Sequence, residues 1–159
     1  MKTKKQISVL LHNIRSVHNV GSIFRTADAL GVDTIYISGY TPTPTDRFGR
    51  ARADVAKVAL GAEKNVAWQQ IKNPKKFLTE MKKGGTKIIA LEQAANSVDY
   101  KKVKITGDTI FIVGNEVDGV EKNILSLADT IAEIPMRGKK ESLNVSVAFG
   151  VALFRILNQ

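Results

Sequence analysis

Three segments of the chain place polar and charged side chains where they could bind an anion or a nucleotide. In the first, residues 12–31, Arg15 and Arg25 flank Asn19 at the start of a predicted helix. The free N–H groups and the dipole of a helix N-terminus attract anions, and arginine can hold a phosphate through two hydrogen bonds. Asn19 as a plain helix cap, with Arg25 on a solvated face, explains the same residues equally well, and both readings stay open.

The second segment, residues 113–120, runs from an apolar strand into a turn that contains Gly114, Glu116 and Gly119. A glycine after a strand lets a ligand approach the backbone closely, and Glu116 supplies a carboxylate at the edge of such a site. Taken alone, the segment is better explained as a tight turn in which Glu116 caps the following helix. It matches neither a GxGxxG pattern nor a phosphate-binding loop, so it does not support a dinucleotide or ATP enzyme.

The third segment, residues 134–144, joins an apolar stretch to a basic loop and a polar triplet. Ile134 and Met136 can present main-chain groups to a flat, adenine-like ring. Ser142 is a good N-cap for the final predicted helix. Asn144 falls in the first turn of that helix, where asparagine has a poor propensity, so capping does not explain its presence.

The elements that must position these segments alternate between apolar runs and helical patterns. This alternation predicts an α/β protein with a mostly parallel sheet and helices on both faces. Strands are expected at residues 6–11, 34–38, 86–91, 109–113 and 130–134, and helices at residues 19–30, 74–83, 121–128 and 142–157. Residues 39–54, rich in Pro, Thr, Gly and Arg, are expected to form a long loop. Ligands of such sheets bind beyond the carboxyl ends of the strands, where all three segments lie.

The composition indicates a polyanion as partner. The chain has 159 residues, which suggests one domain with its own core. Its 24 Lys and Arg residues outnumber 15 Asp and Glu residues and give a net charge of +9. Such a surface attracts nucleic acid through counterion release; a merely soluble basic protein is the alternative.

Other counts exclude several classes of site. The chain has no cysteine, so disulfides and thiolate metal sites are excluded. Two histidines, His12 and His18, are too few for a His-rich metal site. There is no apolar run of about 18 residues and no signal-peptide pattern. We therefore expect a cytoplasmic protein with neither a membrane segment nor a metal ion.

The final predicted helix is apolar on more than one side. One stripe consists of Leu143, Val147, Val151 and Phe154, and a second consists of Val145, Phe149, Ala152 and Ile156. A helix with two apolar faces is usually buried on both. In a domain of this size the outer face needs a cover, and a second copy of the chain is the simplest one. The pattern therefore predicts a homodimer through this helix.

In this order, the three segments resemble the signature motifs of the SpoU (TrmH-like) branch of the SPOUT RNA methyltransferases. Residues 19–31 are similar to the first motif, residues 114–120 to the second, and residues 134–136 with 142–148 to the third. The resemblance implies an α/β fold with a C-terminal deep trefoil knot, a homodimer, and a single methyltransferase domain over residues 1–159 with no separate RNA-binding domain. It also implies methyl transfer from S-adenosylmethionine to a ribose 2′-hydroxyl of tRNA or rRNA.

The resemblance also implies roles for individual residues. The cofactor is expected to contact Leu91, Gly114, Ile134, Met136, Ser142 and Leu143. Of these, Leu91 lies outside the three motifs and is placed by following the third predicted strand. The catalytic group is expected to comprise Arg25, Asn19, Glu116, Ser142 and Asn144. RNA contacts are expected from basic residues near the site and in two loops, namely Arg15, Arg47, Arg50, Arg52, Lys139 and Lys140.

Reference chemistry limits what Arg25 can do. Arginine is effectively always protonated, so it is a poor general base. We expect Arg25 to bind the attacking hydroxyl or its phosphate and to stabilise the developing alkoxide; whether it also accepts the proton stays open.

Two rival functions remain beside ribose methylation. A catalytically silent RNA-binding module of the same fold would be expected to lack Arg25, Glu116 or Asn144, all of which are present. A SPOUT methyltransferase acting on a base is disfavoured by the asparagine and arginine of the first motif and by the Ser-Leu-Asn triplet of the third. Among RNAs, tRNA is favoured over rRNA because a compact enzyme must hold a small substrate by itself.

Overall fold

The computed structural model describes residues 4–158, and its central feature is a seven-stranded parallel sheet. The strands are β1 (Ile7–His12), β2 (Thr34–Ser38), β3 (Ala67–Ile71), β4 (Lys87–Leu91), β5 (Val98–Asp99), β6 (Thr109–Val113) and β7 (Thr130–Glu133). Their order is β3-β2-β1-β6-β4-β7-β5, and every neighbouring pair is parallel. The predicted parallel α/β sheet is therefore confirmed.

Helices connect the strands along the chain. They are α1 (Val17–Leu30), α2 (Ala53–Ala59), α3 (Ala62–Asn65), α4 (Pro74–Lys83), α5 (Lys122–Leu125) and α6 (Val145–Leu157), with a 3₁₀ turn at Tyr100–Lys102. Within residues 4–158, none of them has the length and apolar character needed to cross a membrane.

Alternate side chains of the central strands point to two separate cores, one on each face of the sheet. Val9 of β1 packs in a core with Ile23 of α1 and Phe149 of α6. Its neighbour Leu10 packs on the opposite face with Leu78 of α4. All five residues of β6 are buried, as expected for a central strand covered on both sides. The prediction of helices on both faces is thus confirmed.

The start of α1 differs from the prediction. The helix begins at Val17, and the Ser16 hydroxyl accepts a hydrogen bond from the Asn19 N–H at 3.2 Å. Asn19 therefore lies in the first turn, buried, and is not the cap. At the other end Gly31 adopts the left-handed conformation (φ 68°) and closes the helix as predicted.

The start of α6 also differs from the prediction. The helix begins at Val145, and the cap is Asn144, whose carbonyl oxygen accepts from the N–H groups of Ser146 and Val147 at 2.9 and 3.3 Å. The prediction of Ser142 as cap is wrong, because the helix starts too late for its hydroxyl to reach the free N–H groups. Capping therefore does explain an asparagine at position 144, contrary to the interpretation from the sequence.

The region between β2 and α4 contains elements that the sequence did not predict. Residues 39–52 form the expected loop, closed by an antiparallel bridge between Thr45 and Ala51. Helices α2 and α3 and strand β3 then follow. Strand β3 lies at the sheet edge and is mostly exposed, so its residues carry no apolar alternation. Helix α5 is shorter than the predicted range of 121–128.

Candidate active site

A cavity of about 330 Å³ opens at the carboxyl ends of β4, β6 and β7, against the first turns of α6. Its wall includes all six residues expected to contact a cofactor, namely Leu91, Gly114, Ile134, Met136, Ser142 and Leu143. The fold thus brings together residues that are up to 52 positions apart (143 − 91). Their role in binding stays a prediction.

One wall of this cavity is a tight turn that follows β6. The main chains of Asn115 and Gly119 exchange two hydrogen bonds of 3.0 Å. The Asn115 side-chain oxygen accepts from the N–H groups of Val117 and Asp118, both at 2.8 Å. Gly114 is buried, and a side chain there would overlap the Gly119 carbonyl group. Glycine at position 114 is therefore required by the close packing of the turn.

Glu92 is a residue of this site that the sequence did not single out. Its carboxylate accepts hydrogen bonds from the Val120 N–H at 2.8 Å and the Gln93 N–H at 2.7 Å. It occupies the space that a side chain at Gly119 would need. Glu92 follows β4 at the carboxyl edge of the sheet, and that position was the available signal, but nothing in the residue type distinguished it from its neighbours.

Three expected catalytic residues form one chain of hydrogen bonds. The Glu116 carboxylate accepts from the main-chain N–H groups of Arg15 and Ser16 at 2.9 and 3.0 Å. It also accepts from the Asn19 side-chain amide at 2.9 Å. The Asn19 side-chain oxygen in turn accepts from the Asn144 amide at 3.1 Å. This chain, which we call the Glu116–Asn19–Asn144 network, connects all three segments.

The position of Glu116 corrects the simpler interpretation of its turn. Its carboxylate does not cap the following helix, because its hydrogen bonds go to residues just ahead of α1 and to Asn19. Burial acts to raise the pKa of the Glu116 carboxyl, but the hydrogen bonds from Arg15, Ser16 and Asn19 outweigh it and lower that pKa. A carboxylate with a lowered pKa is a weak base, so Glu116 acts as an ionised anchor.

The remaining two expected catalytic residues lie outside the network. Ser142 is exposed and lines the cavity. Arg25 is exposed on α1, pointing away from Ile23, which is fully buried. The Arg25 side chain makes no hydrogen bond or ion pair with any residue of the described range. Its guanidinium group is therefore available to a ligand, although it does not line the cavity.

The expected RNA-binding arginines of loop 39–52 are partly neutralised. Arg50 pairs with Asp46, with 2.9 Å between Nε and Oδ2. Arg52 donates two hydrogen bonds to Asp54, of 3.1 and 2.7 Å. This hydrogen bonding lowers the pKa of the Asp54 carboxyl. Arg47 has no carboxylate partner among the described residues and lies 4.7 Å from the centre of the Phe48 ring.

The other expected RNA-binding residues lie in two separate places. Arg15 lies beside the turn that carries Glu116, where it lines a second, open pocket. Lys139 and Lys140 are exposed in the loop that precedes α6 and make no ion pair within residues 4–158. The same part of the chain contains no group of three His, Cys, Asp or Glu residues that could hold a metal ion.

The architecture and the site together define a class of protein. A parallel sheet with a cavity at the carboxyl ends of its strands is the general arrangement of α/β proteins that bind a small organic ligand. The model of the SpoU rRNA methylase family matches residues 6–154 of this chain. The chain therefore belongs to that family, and the resemblance drawn from its three motifs is confirmed.

Two relatives illustrate the family. The chain is 35% identical to a tRNA (guanosine(18)-2′-O)-methyltransferase of Aquifex aeolicus, a match that covers 99% of this chain and 72% of the relative. It is 33% identical to a 23S rRNA (guanosine-2′-O-)-methyltransferase of Pseudomonas aeruginosa over 94% of this chain. The chain spans only 57% of the length of that second relative.

Solved structures share the fold. The TrmH/SpoU tRNA modifying enzyme of A. aeolicus superimposes with a TM-score of 0.85 at 34% identity, covering 99% of this chain and 77% of that one. An AdoMet-bound rRNA methyltransferase from Sinorhizobium meliloti has a TM-score of 0.83 at 28% identity, covering 98% of this chain and 57% of that one.

The close packing of Gly114 leads to a prediction about stability. Because an added side chain would meet main-chain atoms of Gly119, which cannot move aside cheaply, Gly114→Ala should lower the free energy of unfolding by about 1–3 kcal/mol. Urea denaturation measures this change. Gly138→Ala is the matched control, because a side chain there meets nothing within 4 Å. Equal stability of the Gly114→Ala and wild-type proteins would show that the turn is free to rearrange.

The lowered pKa of Glu116 predicts a pH dependence. Above the ordinary value of 4.5, the ionised carboxylate stabilises the folded state, and this contribution disappears as the pH falls through the lower folded-state pKa. Glu116→Gln should therefore be less stable than the wild type at neutral pH, and the difference should shrink below pH 4.5. Denaturant titrations across this range measure it, with Glu80→Gln on the exposed surface of α4 as control. A difference that is independent of pH would argue against an ionised anchor.

Proposed function

We propose that this protein transfers a methyl group from S-adenosylmethionine to a ribose 2′-hydroxyl of RNA. The observation that carries the proposal is the Glu116–Asn19–Asn144 network, which joins the three family segments at the edge of the 330 Å³ cavity. The names of the relatives, which are 2′-O-methyltransferases of tRNA and of 23S rRNA, support this reaction. The net charge of +9 supports RNA as the substrate.

The cavity has properties that suit S-adenosylmethionine. Its volume falls within the range of about 300–1,000 Å³ that is typical of small-ligand sites. In a strongly basic protein, its wall carries five acidic residues, namely Glu92, Glu116, Asp118, Glu133 and Glu141. A negative wall attracts the positive sulfonium and ammonium groups of this cofactor. The AdoMet-bound relative from S. meliloti supports the same cofactor for this chain.

When bound, the cofactor would supply an electrophilic methyl group and leave as S-adenosylhomocysteine, and the proton of the attacking hydroxyl would pass to water. The residues of this chain position and polarise that hydroxyl. The ionised Glu116 holds Asn19, and Asn19 holds Asn144, so these two amides keep fixed orientations. Arg25 has an uncommitted guanidinium that can bind the hydroxyl or an adjacent phosphate and stabilise the negative charge that develops on oxygen. Fixed geometry of this kind can supply much of the rate acceleration.

Two RNA classes fit the proposal, and tRNA is the first candidate. The relative named for tRNA is matched over 72% of its length, compared with 57% for the relative named for 23S rRNA. Ribosomal RNA is the second candidate because of that second relative. A cytoplasmic location fits either substrate, because tRNA and ribosomes operate there.

We also propose that the C-terminal part of the chain is threaded into a trefoil knot, as the resemblance implies. The strand order supports it, because β7 lies between β4 and β5, two strands that precede it in the sequence. After β7 the chain returns as α6 to contact both α1 and the 3₁₀ turn at Tyr100–Lys102. A late segment that runs between earlier ones in this way is compatible with threading.

A homodimer through α6 is the last part of the proposal. Of the second predicted stripe, Phe149, Ala152 and Ile156 are between 0% and 2% exposed, and Val145 is half-buried. The outer stripe is not covered by this chain: Leu143, Val147, Val151 and Phe154 are 39%, 49%, 41% and 47% exposed. Val147, Val151 and Phe154 are spaced four and three residues apart on α6 and therefore share one face. An exposed apolar face of this kind marks a protein interface. A second copy of the chain would present the same apolar face, as in a two-fold symmetric dimer.

Methyl transfer depends on Arg25 in this account. Arg25→Ala should reduce turnover about 100-fold or more, because it removes a charge that stabilises the transition state. The affinity for S-adenosylmethionine should stay within about 2-fold of wild type, since Arg25 does not line the cavity. Single-turnover transfer of a radioactive methyl group and calorimetric cofactor titration measure the two effects. The turnover of Arg25→Lys should lie between those of the wild type and Arg25→Ala. Full turnover in Arg25→Ala would remove Arg25 from the mechanism.

The dimer predicts a change of mass on mutation of the outer stripe. Val151→Asp places a charge in the proposed interface and should convert the dimer to a folded monomer. Size-exclusion chromatography with light scattering measures the mass. Val98→Asp on β5 is a matched control, because Val98 is also 41% exposed, and it should stay dimeric. A wild-type monomer at micromolar concentration would contradict the proposal.

The reaction itself is tested by mapping methylated ribose and methylated bases in total RNA from a strain that lacks the gene. The account expects the loss of one 2′-O-methyl mark, restored by the wild-type gene and not by Arg25→Ala. Loss of a base methyl mark would favour a base methyltransferase. No lost mark of either kind would favour a silent RNA-binding module.

A further inference from the structure

A second pocket lies directly beside the candidate active site. It is open to solvent and is lined by Arg15, Tyr40, Asn115, Val117 and Asp118. The last three residues also line the 330 Å³ cavity. A single turn of the chain therefore separates the two spaces, and a molecule bound in the open pocket can reach over this turn toward the cavity.

Tyr40 gives the open pocket an aromatic wall that is both exposed and fixed. Tyr40 is 59% exposed, yet its hydroxyl accepts a hydrogen bond from the Asn115 amide at 2.9 Å. Asn115 is itself only 8% exposed, and its amide also donates to the Asn13 carbonyl at 3.0 Å. The main-chain N–H of Tyr40 donates to the Asn13 side-chain oxygen at 3.3 Å. An aromatic ring held in this way is ready to stack on a ligand with little loss of conformational entropy.

The other polar groups of the open pocket complete a set that suits a nucleotide. The main-chain N–H of Arg15 is bonded to Glu116, whereas the Arg15 side chain makes no ion pair within the described range. It can therefore bind a phosphate. The exposed Asp118 can accept hydrogen bonds from the N–H groups of a base edge. Val117, 80% exposed, offers apolar surface next to the ring.

We propose that this pocket binds the nucleobase of the RNA nucleotide that is methylated, with the base stacked on Tyr40 and a phosphate held by Arg15. The proposal rests on the proposed function and specifies how that substrate is held. Because the ribose lies between base and phosphate, it would lie over the turn formed by residues 115–118. The 2′-hydroxyl then faces the cofactor cavity that shares this turn. RNA-binding proteins commonly bind unpaired bases by stacking them on aromatic side chains.

Two substitutions distinguish the contribution of the Tyr40 ring to RNA binding from that of its hydroxyl. Tyr40→Leu removes the aromatic face and should raise the Kd for RNA about 5- to 150-fold, as expected for the loss of one stacked base. Tyr40→Phe keeps the ring and loses only the hydrogen bond to Asn115, so it should restore most of the lost affinity. Leu60→Ala, which trims a side chain that is 66% exposed outside the pocket, is the control and should bind as wild type does.

Filter binding of radioactively end-labelled RNA purified from the deletion strain measures the affinity without requiring catalysis. Ultraviolet crosslinking of the same RNA, which needs no modified base and is mapped by mass spectrometry, should mark Tyr40 in the wild type. Unchanged affinity of Tyr40→Leu, or crosslinks that avoid the pocket, would overturn the proposal. Equal losses in Tyr40→Leu and Tyr40→Phe would also overturn it, because Tyr40 would then act only by holding Asn115.

The same samples distinguish this proposal from the proposed function. Cofactor affinity should be the same in both Tyr40 variants and the wild type. If the wild type binds RNA through Tyr40 but methylates none of it, the proposed reaction fails and the base-binding pocket stands. If methylation occurs and the Tyr40 variants bind and react normally, only the pocket assignment fails.

Discussion

The structure depends most on one carboxylate, that of Glu116. It accepts main-chain hydrogen bonds from Arg15 and Ser16 and a side-chain bond from Asn19, across sequence separations of 97 to 101 residues. A partly buried ionised group is costly unless several donors satisfy it. These donors do so, and they thereby fix the turn after β6 against the start of α1. Removal of this anchor would leave several donors unsatisfied at the same place.

Asn144 extends this constraint to the C-terminal helix. Its side-chain oxygen caps α6, while its side-chain nitrogen donates to Asn19. The helix whose outer stripe is proposed to join two subunits therefore begins at a residue of the proposed catalytic group. A dimer through this helix would couple subunit contact to the geometry of the site, because a shift of α6 would move the Asn144 amide away from Asn19.

Most of the fold follows from local patterns, whereas the caps and the edges of the site do not. Buried parallel strands and Gly31 at the end of α1 are visible in apolar runs and turn residues. The cap of α1 was misassigned because the side chain of Asn19 bonds to Glu116, 97 residues away. The cap of α6 was misassigned because the helix begins at Val145, later than its apolar pattern indicates. Strand β3 lacks apolar alternation because it is an exposed edge. The three motifs located the cavity. Glu92 had only its position after β4 as a signal, and Tyr40 had none, since only the folded chain shows what surrounds them.

The central claim is that the Glu116–Asn19–Asn144 network holds the three segments as one unit. A double-mutant cycle with Asn19→Ala and Asn144→Ala tests it most directly, because the cycle cancels the separate loss of the Asn144 cap. The free energies of unfolding and the methyl-transfer rates are measured for the wild type, both single variants and the double variant. The account predicts an interaction energy of about 0.5–3 kcal/mol in stability, with non-additive rates. Effects that add to within about 0.3 kcal/mol would contradict it.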